Sequence, residues 1–309
     1  MLDFILAWLG DSSGPMVFYC VATLGMIISE RSGVYLLGAE GFMLVGALFG
    51  AAMALTVENN TVLALATAAF AGSLVGLLYA GLVVLLRVNQ IIASLALVFF
   101  CQGLTSLIGQ VGNFGNRAIA NNGLIDLGPL GGIAVGDTAM QAVMLVVTAM
   151  LFAGVLRVLW HTTTGLRLRA IGENPDAADA AGLGISRYRF LAVVAGAATV
   201  ALAGGLLSVV NNKIWISGMT AGRGWIVVAL VIFARWHPWR ALAGAVLFGG
   251  IETFVPQVAA AGVDIPQYLV MALPYAVTLL VMAATGLGAF RSSGEPAALG
   301  RPYVREERH

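Results

Sequence analysis

Few residues in this chain have the types and spacing needed for catalysis. The three histidines, His161, His237 and His309, lie far apart and lack the spacing of metal ligands. The only lysine, Lys213, is not part of a Gly-x-x-x-x-Gly-Lys-[Ser/Thr] motif, so no phosphate-binding loop is present. The sequence therefore predicts no metal site and no cofactor, and a membrane-embedded enzyme is the least supported function class.

Two glutamates interrupt apolar segments and are the first candidates for a functional role. An ionisable group at membrane depth costs about 2.5 to 3.5 kcal/mol for Asp, Lys or Arg, so such a group normally faces a cavity or a partner. Glu40 follows Gly38 and begins an apolar helix. It is expected either to line a pathway beside a helix N-terminus, or to cap that helix or pair with Arg31. Glu252 is expected either to line the pathway or to mark an Arg-paired or water-exposed helix end.

A short apolar segment follows in the second half of the chain. Only eleven residues, Gly224 to Ala234, precede Arg235, and an aromatic turn at 236–239 comes next. Short or interrupted helices in transporters indicate a binding site, because their free ends face the substrate. The alternative is that this helix begins earlier and spans the membrane normally.

A second segment has the signals of a short helix outside the membrane. Asn174 suits an N-cap, Pro175 the first helical position, Asp176 the positive helix end and Gly182 the C-terminal stop. A helix of about two turns is marginal in water and needs a partner surface. We interpret it as a coupling helix that receives force from another protein; the alternative is a structured loop that packs on its own chain.

The composition indicates which elements must position these residues. Of the 309 residues, 60% are apolar and 10% are charged, and the mean hydropathy is +0.92. A soluble enzyme is excluded, because this composition cannot cover a water-facing surface. The net charge of +1 gives no reason to expect a nucleic-acid partner. Cys20 and Cys101 lie in apolar runs, which predicts buried thiols and no disulfide.

The fold class predicted is an all-α polytopic membrane protein of about 8–10 transmembrane helices. The expected spans are 15–29, 39–56, 61–86, 91–109, 138–159, 189–211, 224–235, 240–256 and 266–286. A weak echo between 45–50 and 245–249 suggests an inverted repeat, the architecture of many transporters, with chance similarity of Gly, Ala and Leu as the alternative.

Arginine placement predicts the orientation. Arg87, the five arginines from Arg157 to Arg189, the pair Arg235 and Arg240, and the arginines of the tail fall on one side, which the positive-inside rule assigns to the cytoplasm. The N-terminus is then outside and the C-terminus inside. We expect one transmembrane domain over residues 1–290, a cytoplasmic coupling loop at 161–187, a cytoplasmic tail at 291–309, and an Asn- and Gly-rich outer loop at 113–137 that could form a docking surface.

Four motifs resemble one family. The first motif is the segment Gly165-Leu166-Arg167-x-Arg169-Ala170-x-Gly172-Glu173-Asn174-Pro175-x-Ala177-Ala178-x-x-Ala181-Gly182. It resembles the coupling segment of ABC importer permeases in the branched-chain amino acid and ribose superfamily. The other three motifs are Glu30-Arg31-Ser32-Gly33-Val34-x-x-x-Gly38-x-Glu40-Gly41, Asn89-Gln90 with Gly103-Leu104-Thr105-Ser106, and Gly222-Arg223-Gly224-Trp225. They resemble one branch of this superfamily, the permeases for nucleosides and simple sugars that work with basic-membrane-protein type receptors. Leu36 stands where Asn is usual and Ser94 where Gly is usual, which puts the substrate in doubt more than the fold.

The resemblance implies a permease subunit that moves a small polar solute, such as a nucleoside or sugar-like compound, across the bacterial inner membrane. It implies a second permease subunit, a cytoplasmic ABC ATPase, an extracytoplasmic solute-binding protein and membrane lipid as partners, with ATP hydrolysis in the separate ATPase. The pathway residues expected are Gly38, Glu40, Asn89, Gln90, Ser94, Trp225 and Glu252. The residues expected to meet the ATPase are Arg167, Arg169, Gly172, Glu173, Asn174, Pro175, Ala177, Ala178, Ala181 and Gly182. The alternative is an ion-coupled secondary transporter that uses Glu40 and Glu252.

Overall fold

A computed structural model describes most of the chain. The described residues are 2–57, 60–119, 123–126, 132–134, 136–260 and 294–303, with isolated positions 272, 276, 279, 280 and 283. The expected ninth span, 266–286, lies largely outside this set, as do parts of the outer loop and of the tail.

Ten helices are found in the described part of the chain, and six are long and apolar enough to cross a membrane. Their bounds are α1 (Leu2–Glu30), α2 (Ala39–Thr56), α3 (Thr61–Ala80), α4 (Gln90–Val111), α5 (Asp137–His161), α6 (Thr163–Glu173), α7 (Pro175–Ala180), α8 (Ile185–Gly205), α9 (Arg223–Ala234) and α10 (Pro238–Ala260). The six candidate spans are α1 to α5 and α8. The prediction of an all-α polytopic membrane protein is confirmed.

Helix α8 lies at the centre of the packing, against α1, α2 and α3. Small residues allow this close approach. A Cβ on Gly46 of α2 would collide with the carbonyl of Ala201, and a Cβ on Gly72 of α3 with the side chain of the same Ala201. Without a hydrophobic driving force between helices in lipid, such close van der Waals packing holds membrane helices together. The glycines spaced four apart in α2 and α3 thus serve packing.

Two helices extend beyond the expected spans, although the candidate spans Ser12–Glu30 and Ile185–Asn211 agree with 15–29 and 189–211 to within a few residues. Helix α1 begins at Leu2, before the expected span 15–29, and Pro15 lies inside it. Transmembrane helices tolerate an internal proline because neighbouring helices can satisfy the backbone groups that it leaves unpaired. Helix α8 begins at Ile185 rather than at 189. Arg189 is buried instead of marking the end of a loop, since its guanidinium donates to two backbone carbonyls.

The connections at the two ends of the bundle differ in structure. One end carries the short helices α6 and α7. At the other, strands β1 (Gly123–Asp126) and β2 (Gly132–Ala134) pair antiparallel, and the preceding chain is tied to the stretch before α9, since Ile119 N donates to Lys213 O at 2.8 Å. The inverted repeat suggested by the sequence echo stays a prediction.

Candidate functional site

The candidate site is built where two helices begin against each other. Helix α9 is only 12 residues long, about 18 Å at 1.5 Å per residue, and it follows a series of turns at 217–222. Helix α2 begins after the non-helical connection 31–38. The interpretation of α9 as a short helix is confirmed, and the alternative of an earlier start is wrong.

Glu40 joins these two helix ends. Its Oε1 accepts hydrogen bonds from the Thr220 hydroxyl at 2.6 Å and from Gly222 N at 2.9 Å, and its Oε2 accepts from Gly224 N at 2.7 Å. The side chain is 8% exposed. The carboxylate therefore satisfies backbone donors that the first turn of α9 leaves without intrahelical partners.

Neither sequence interpretation of Glu40 describes this geometry by itself. The carboxylate does cap a helix, but that helix is α9 rather than α2, in whose first turn Glu40 lies. Arg31 is engaged elsewhere, since its Nε donates to Trp236 O at 3.1 Å. Gly224 is required for the contact, because a Cβ there would collide with the backbone of Glu40.

A cavity of about 270 Å³ opens beside this junction. Its polar lining residues are Glu40 and Gln102 of α4, and its aromatic lining residues are Phe99 and Trp225. The other lining residues are Leu44, Leu95, Val98, Gly218, Ala221 and Gly222. A largely apolar cavity with a few placed polar groups is the usual form of a small-molecule site. Glu40 and Trp225, both expected to line a pathway, are brought together here.

Glu252 is paired with an arginine. Arg223 donates to Glu252 Oε1 from Nη2 at 2.6 Å and from Nε at 2.9 Å, and the Tyr19 hydroxyl donates to Oε2 at 2.7 Å. Both side chains of the ion pair are about one quarter exposed. Glu252 is thus Arg-paired, but inside α10 rather than at a helix end, and the pair ties the start of α9 to α10 and α1. Its place on the pathway stays a prediction.

The other expected pathway residues lie away from this cavity. Asn89 caps α4 by accepting from Ile91 N and Ile92 N, and Gln90 Oε1 accepts from Tyr35 N at 2.9 Å. Both line a second cavity of about 260 Å³. Ser94 is fully buried and shares a 2.7 Å hydrogen bond with the Tyr79 hydroxyl.

Gly38 packs near the ring of Phe42, at the N-terminus of α2. Gly38 therefore lies at the start of α2 and Ser94 is bonded to α3, whereas the lining of the cavity at Glu40 is formed by other residues.

Three partners of Glu40 escaped the sequence analysis. Thr220, Gly222 and Gly224 lie 180 to 184 residues away in the chain. The motif Gly222-Arg223-Gly224-Trp225 marked the region, but no local pattern shows that its amides meet a carboxylate. Gln102 and Phe99 were also missed, because they are unremarkable members of an apolar helix.

The coupling segment folds as expected at its short helix. Asn174 Oδ1 accepts from Ala177 N at 2.9 Å, Pro175 opens α7, and Gly182 has a φ of +82° at its end. Helix α6, just before it, was not anticipated as a helix. Gly165 and Gly172 lie inside α6, and helix-interior glycine lowers the helical signal of a sequence.

The alanines of α7 do not all point the same way. Ala178 is buried in a small cluster with Ile171 and Ile185, so this side chain packs on its own chain. Ala177 and Ala181 are exposed. The surface available to a partner is therefore the face of Ala177 and Ala181, and the alternative of a loop packed on its own chain holds for Ala178.

The charged residues of the coupling segment have defined contacts. Arg167 Nη1 donates to the Tyr188 hydroxyl at 2.9 Å, and the Arg169 guanidinium lies 5.4 Å from the centre of the Trp160 ring. Glu173 Oε2 accepts from Ala297 N at 3.4 Å.

The turn between α9 and α10 also contacts Trp160, since the centres of the His237 and Trp160 rings lie 5.2 Å apart. Burial lowers the pKa of His237 below its ordinary value, and the nearby Arg240 and Arg31 lower it further.

A short helix that begins beside a cavity, together with six helices long and apolar enough to cross a membrane, is typical of a multi-pass membrane protein of the transporter class. Residues 12–282 match the model of the family described as branched-chain amino acid transport system / permease component, and the chain belongs to that family. It is therefore a permease component of an ABC transport system. No solved structure matches it.

Three relatives give the comparison in more detail. A putative glucose ABC transporter permease protein of Haloferax volcanii is 36% identical over 75% of this chain and 71% of its own. A guanosine ABC transporter permease protein of Bacillus subtilis is 28% identical over 93% of each chain. A nucleoside ABC transporter permease protein of Lactococcus lactis subsp. cremoris is 29% identical over 91% of this chain and 92% of its own.

Proposed function

We propose that this permease imports a nucleoside or sugar-like solute into the cytoplasm. The observation that carries the proposal is the cavity beside Glu40, whose lining includes the aromatic residues Trp225 and Phe99 and the amide of Gln102. Aromatic faces pack against the apolar face of a base or sugar ring, and amide groups hydrogen-bond its polar edges. The names of the relatives, which are permeases for guanosine, nucleosides and glucose, agree with this chemistry.

Glu40 serves this function by holding the junction rather than by binding a coupling ion. Its two oxygens accept three hydrogen bonds from the start of α9, and Glu252 is engaged by Arg223 and Tyr19. The family assignment and these engaged carboxylates both argue against the ion-coupled alternative.

The partners belong to the same proposal. A second permease subunit completes the pathway, and a cytoplasmic ATPase that hydrolyses the ATP contacts the exposed face of α7 at Ala177 and Ala181. An extracytoplasmic solute-binding protein docks at the outer loop, 113–137. In the bacterial inner membrane the N-terminus is then outside and the C-terminus inside, as the arginine placement predicts.

Reconstitution tests the transport step. Proteoliposomes with the permease, its ATPase and its receptor are loaded with ATP and offered radiolabelled guanosine or glucose. We expect ATP-dependent uptake of one of them that survives an uncoupler. Uptake that stops when the ion gradient collapses would support the ion-coupled alternative instead.

Cysteine labelling tests the orientation. A cysteine at Asn121 is expected to react with an impermeant maleimide in intact cells, whereas the two native cysteines are buried. Labelling at 121 only after permeabilisation would invert the topology.

A further inference from the structure

A segment near the C-terminus crosses between the coupling helices and the connection from α1 to α2. We name residues 294–303 the C-terminal strap. Its Ala298 N donates to Gly172 O of α6 at 2.9 Å, and its Gly300 N donates to Gly33 O of the connection at 3.1 Å. The two hydrogen bonds, two residues apart on the strap, link elements that are separated by about 140 positions in sequence.

Part of the strap is buried in the protein rather than exposed on its surface. Ala298 and Leu299 are 4% and 8% exposed. Gly300 has a φ of +79°, and a Cβ there would meet the Tyr35 ring at 2.5 Å. The Tyr35 hydroxyl in turn donates to Glu295 at 3.4 Å. The backbone of the strap therefore fits this position closely.

Arg189 of α8 joins the α1–α2 connection to the strap. Its side chain is 3% exposed, its Nε donates to Ser32 O at 3.1 Å, and its Nη1 donates to Arg301 O at 2.9 Å. The planar guanidinium thus holds the connection and the strap at a fixed separation, which a flexible ammonium group would not do.

These contacts lie on a continuous route to the candidate site. The strap is bonded to α6, whose Ile171 packs with Ala178 of the coupling helix α7. On its other side the strap is bonded to the connection that leads directly into Glu40, the residue that holds the start of α9. The described residues therefore contain a packed path from the exposed face of α7 to the cavity.

We propose that the C-terminal strap and Arg189 position the α1–α2 connection against the coupling helices, so that displacement of α6 and α7 by the ATPase moves the junction at Glu40. The proposal rests on the proposed function, since it concerns how that transport step is driven. Arg189 is a positioning residue: it acts through its hydrogen bonds to Ser32 and Arg301, and the described lining of the cavity at Glu40 does not include it.

Ala298→Pro is the direct test, because proline lacks the N–H that binds Gly172. The readout is solute taken up per ATP hydrolysed in the reconstituted complex. We expect the ATPase to co-purify and to hydrolyse ATP within about twofold of wild type, with uptake per ATP at least fivefold lower. The matched control is Arg301→Ala, because Arg301 contributes its backbone oxygen to Arg189 and its backbone N–H to Ala298 O, while its side chain is exposed; it should keep the wild-type ratio.

A second measurement restrains the strap covalently, and its reference is the same double-cysteine protein before cross-linking. The pair Tyr35→Cys and Glu295→Cys is cross-linked with a short bis-maleimide. If strap and connection move as one body, cross-linking leaves uptake per ATP unchanged, whereas its loss would overturn the proposal.

Two further outcomes separate the proposals from each other. An unchanged ratio in assembled Ala298→Pro would overturn the role of the strap alone. Absence of ATP-dependent uptake in the wild-type complex would instead contradict the proposed function.

Discussion

Replacing Glu40 with glutamine probes the junction of α2 and α9 most directly. Both carboxylate oxygens accept hydrogen bonds, two at Oε1 and one at Oε2. An amide has one accepting oxygen and one donating nitrogen. In one orientation its nitrogen faces Gly224 N–H, and in the other it faces Gly222 N–H. Only the Thr220 hydroxyl can turn and accept.

The cost follows from this mismatch. A buried donor left without a partner costs about 1 to 3 kcal/mol, and the hydrogen bonds lose their charge assistance. Loss of a negative charge at the N-terminus of α9 adds about 0.3 to 1 kcal/mol. We expect Glu40→Gln to destabilise the junction by about 2 to 4 kcal/mol in total, and to lower uptake several-fold.

Thermal denaturation in detergent and uptake in proteoliposomes are measured on the same preparations. Gln102→Ala is the matched control, since Gln102 lines the cavity while its side chain makes no described contact that holds the helices together. It should change solute affinity and leave the denaturation midpoint unaltered. A Glu40→Gln protein with wild-type midpoint and wild-type uptake would refute the capping role.

Other predictions follow from single contacts. Gly224→Ala should abolish uptake, because its methyl group would collide with the Glu40 backbone, while Gly103→Ala, with open space around it, should transport normally. Ala181→Arg should prevent co-purification of the ATPase without unfolding the permease, whereas Ala178→Arg should lower the denaturation midpoint, because it buries a charge among apolar residues. His237 has a pKa lowered by burial and so is favoured neutral in the fold; stability should fall as pH drops below about 6.5, and His237→Asn should flatten that dependence.

The sequence predicts those parts of the molecule that depend on local signals. Apolar runs placed the spans, and Asn174, Pro175 and Gly182 marked the short helix α7 with its caps. Such features depend on residues within a few positions of each other, and these can be read without knowing the fold.

Long-range pairing could not be predicted in this way. The sequence marked Glu40 as an ionisable group in need of a partner, but its partners are backbone amides, which every residue carries. In the same way, nothing in the composition of the strap indicates that Ala298 and Gly300 pair with Gly172 and Gly33, because those contacts also use only backbone atoms.

The position of Glu40 explains why a carboxylate is tolerated in an apolar helix. Its side chain lies in the first turn of α2 and accepts from the first turn of α9, so the partial positive ends of two helices share one negative charge. Without this carboxylate, the positive ends of α2 and α9 would repel each other and the amides at the start of α9 would lack acceptors. Both effects cost more free energy in a medium of low dielectric constant. The same carboxylate forms part of the cavity wall. A small displacement of α2 relative to α9 therefore changes the shape of the cavity and the geometry of these hydrogen bonds together, which makes this junction a suitable place for a driven movement to open or close a solute pathway.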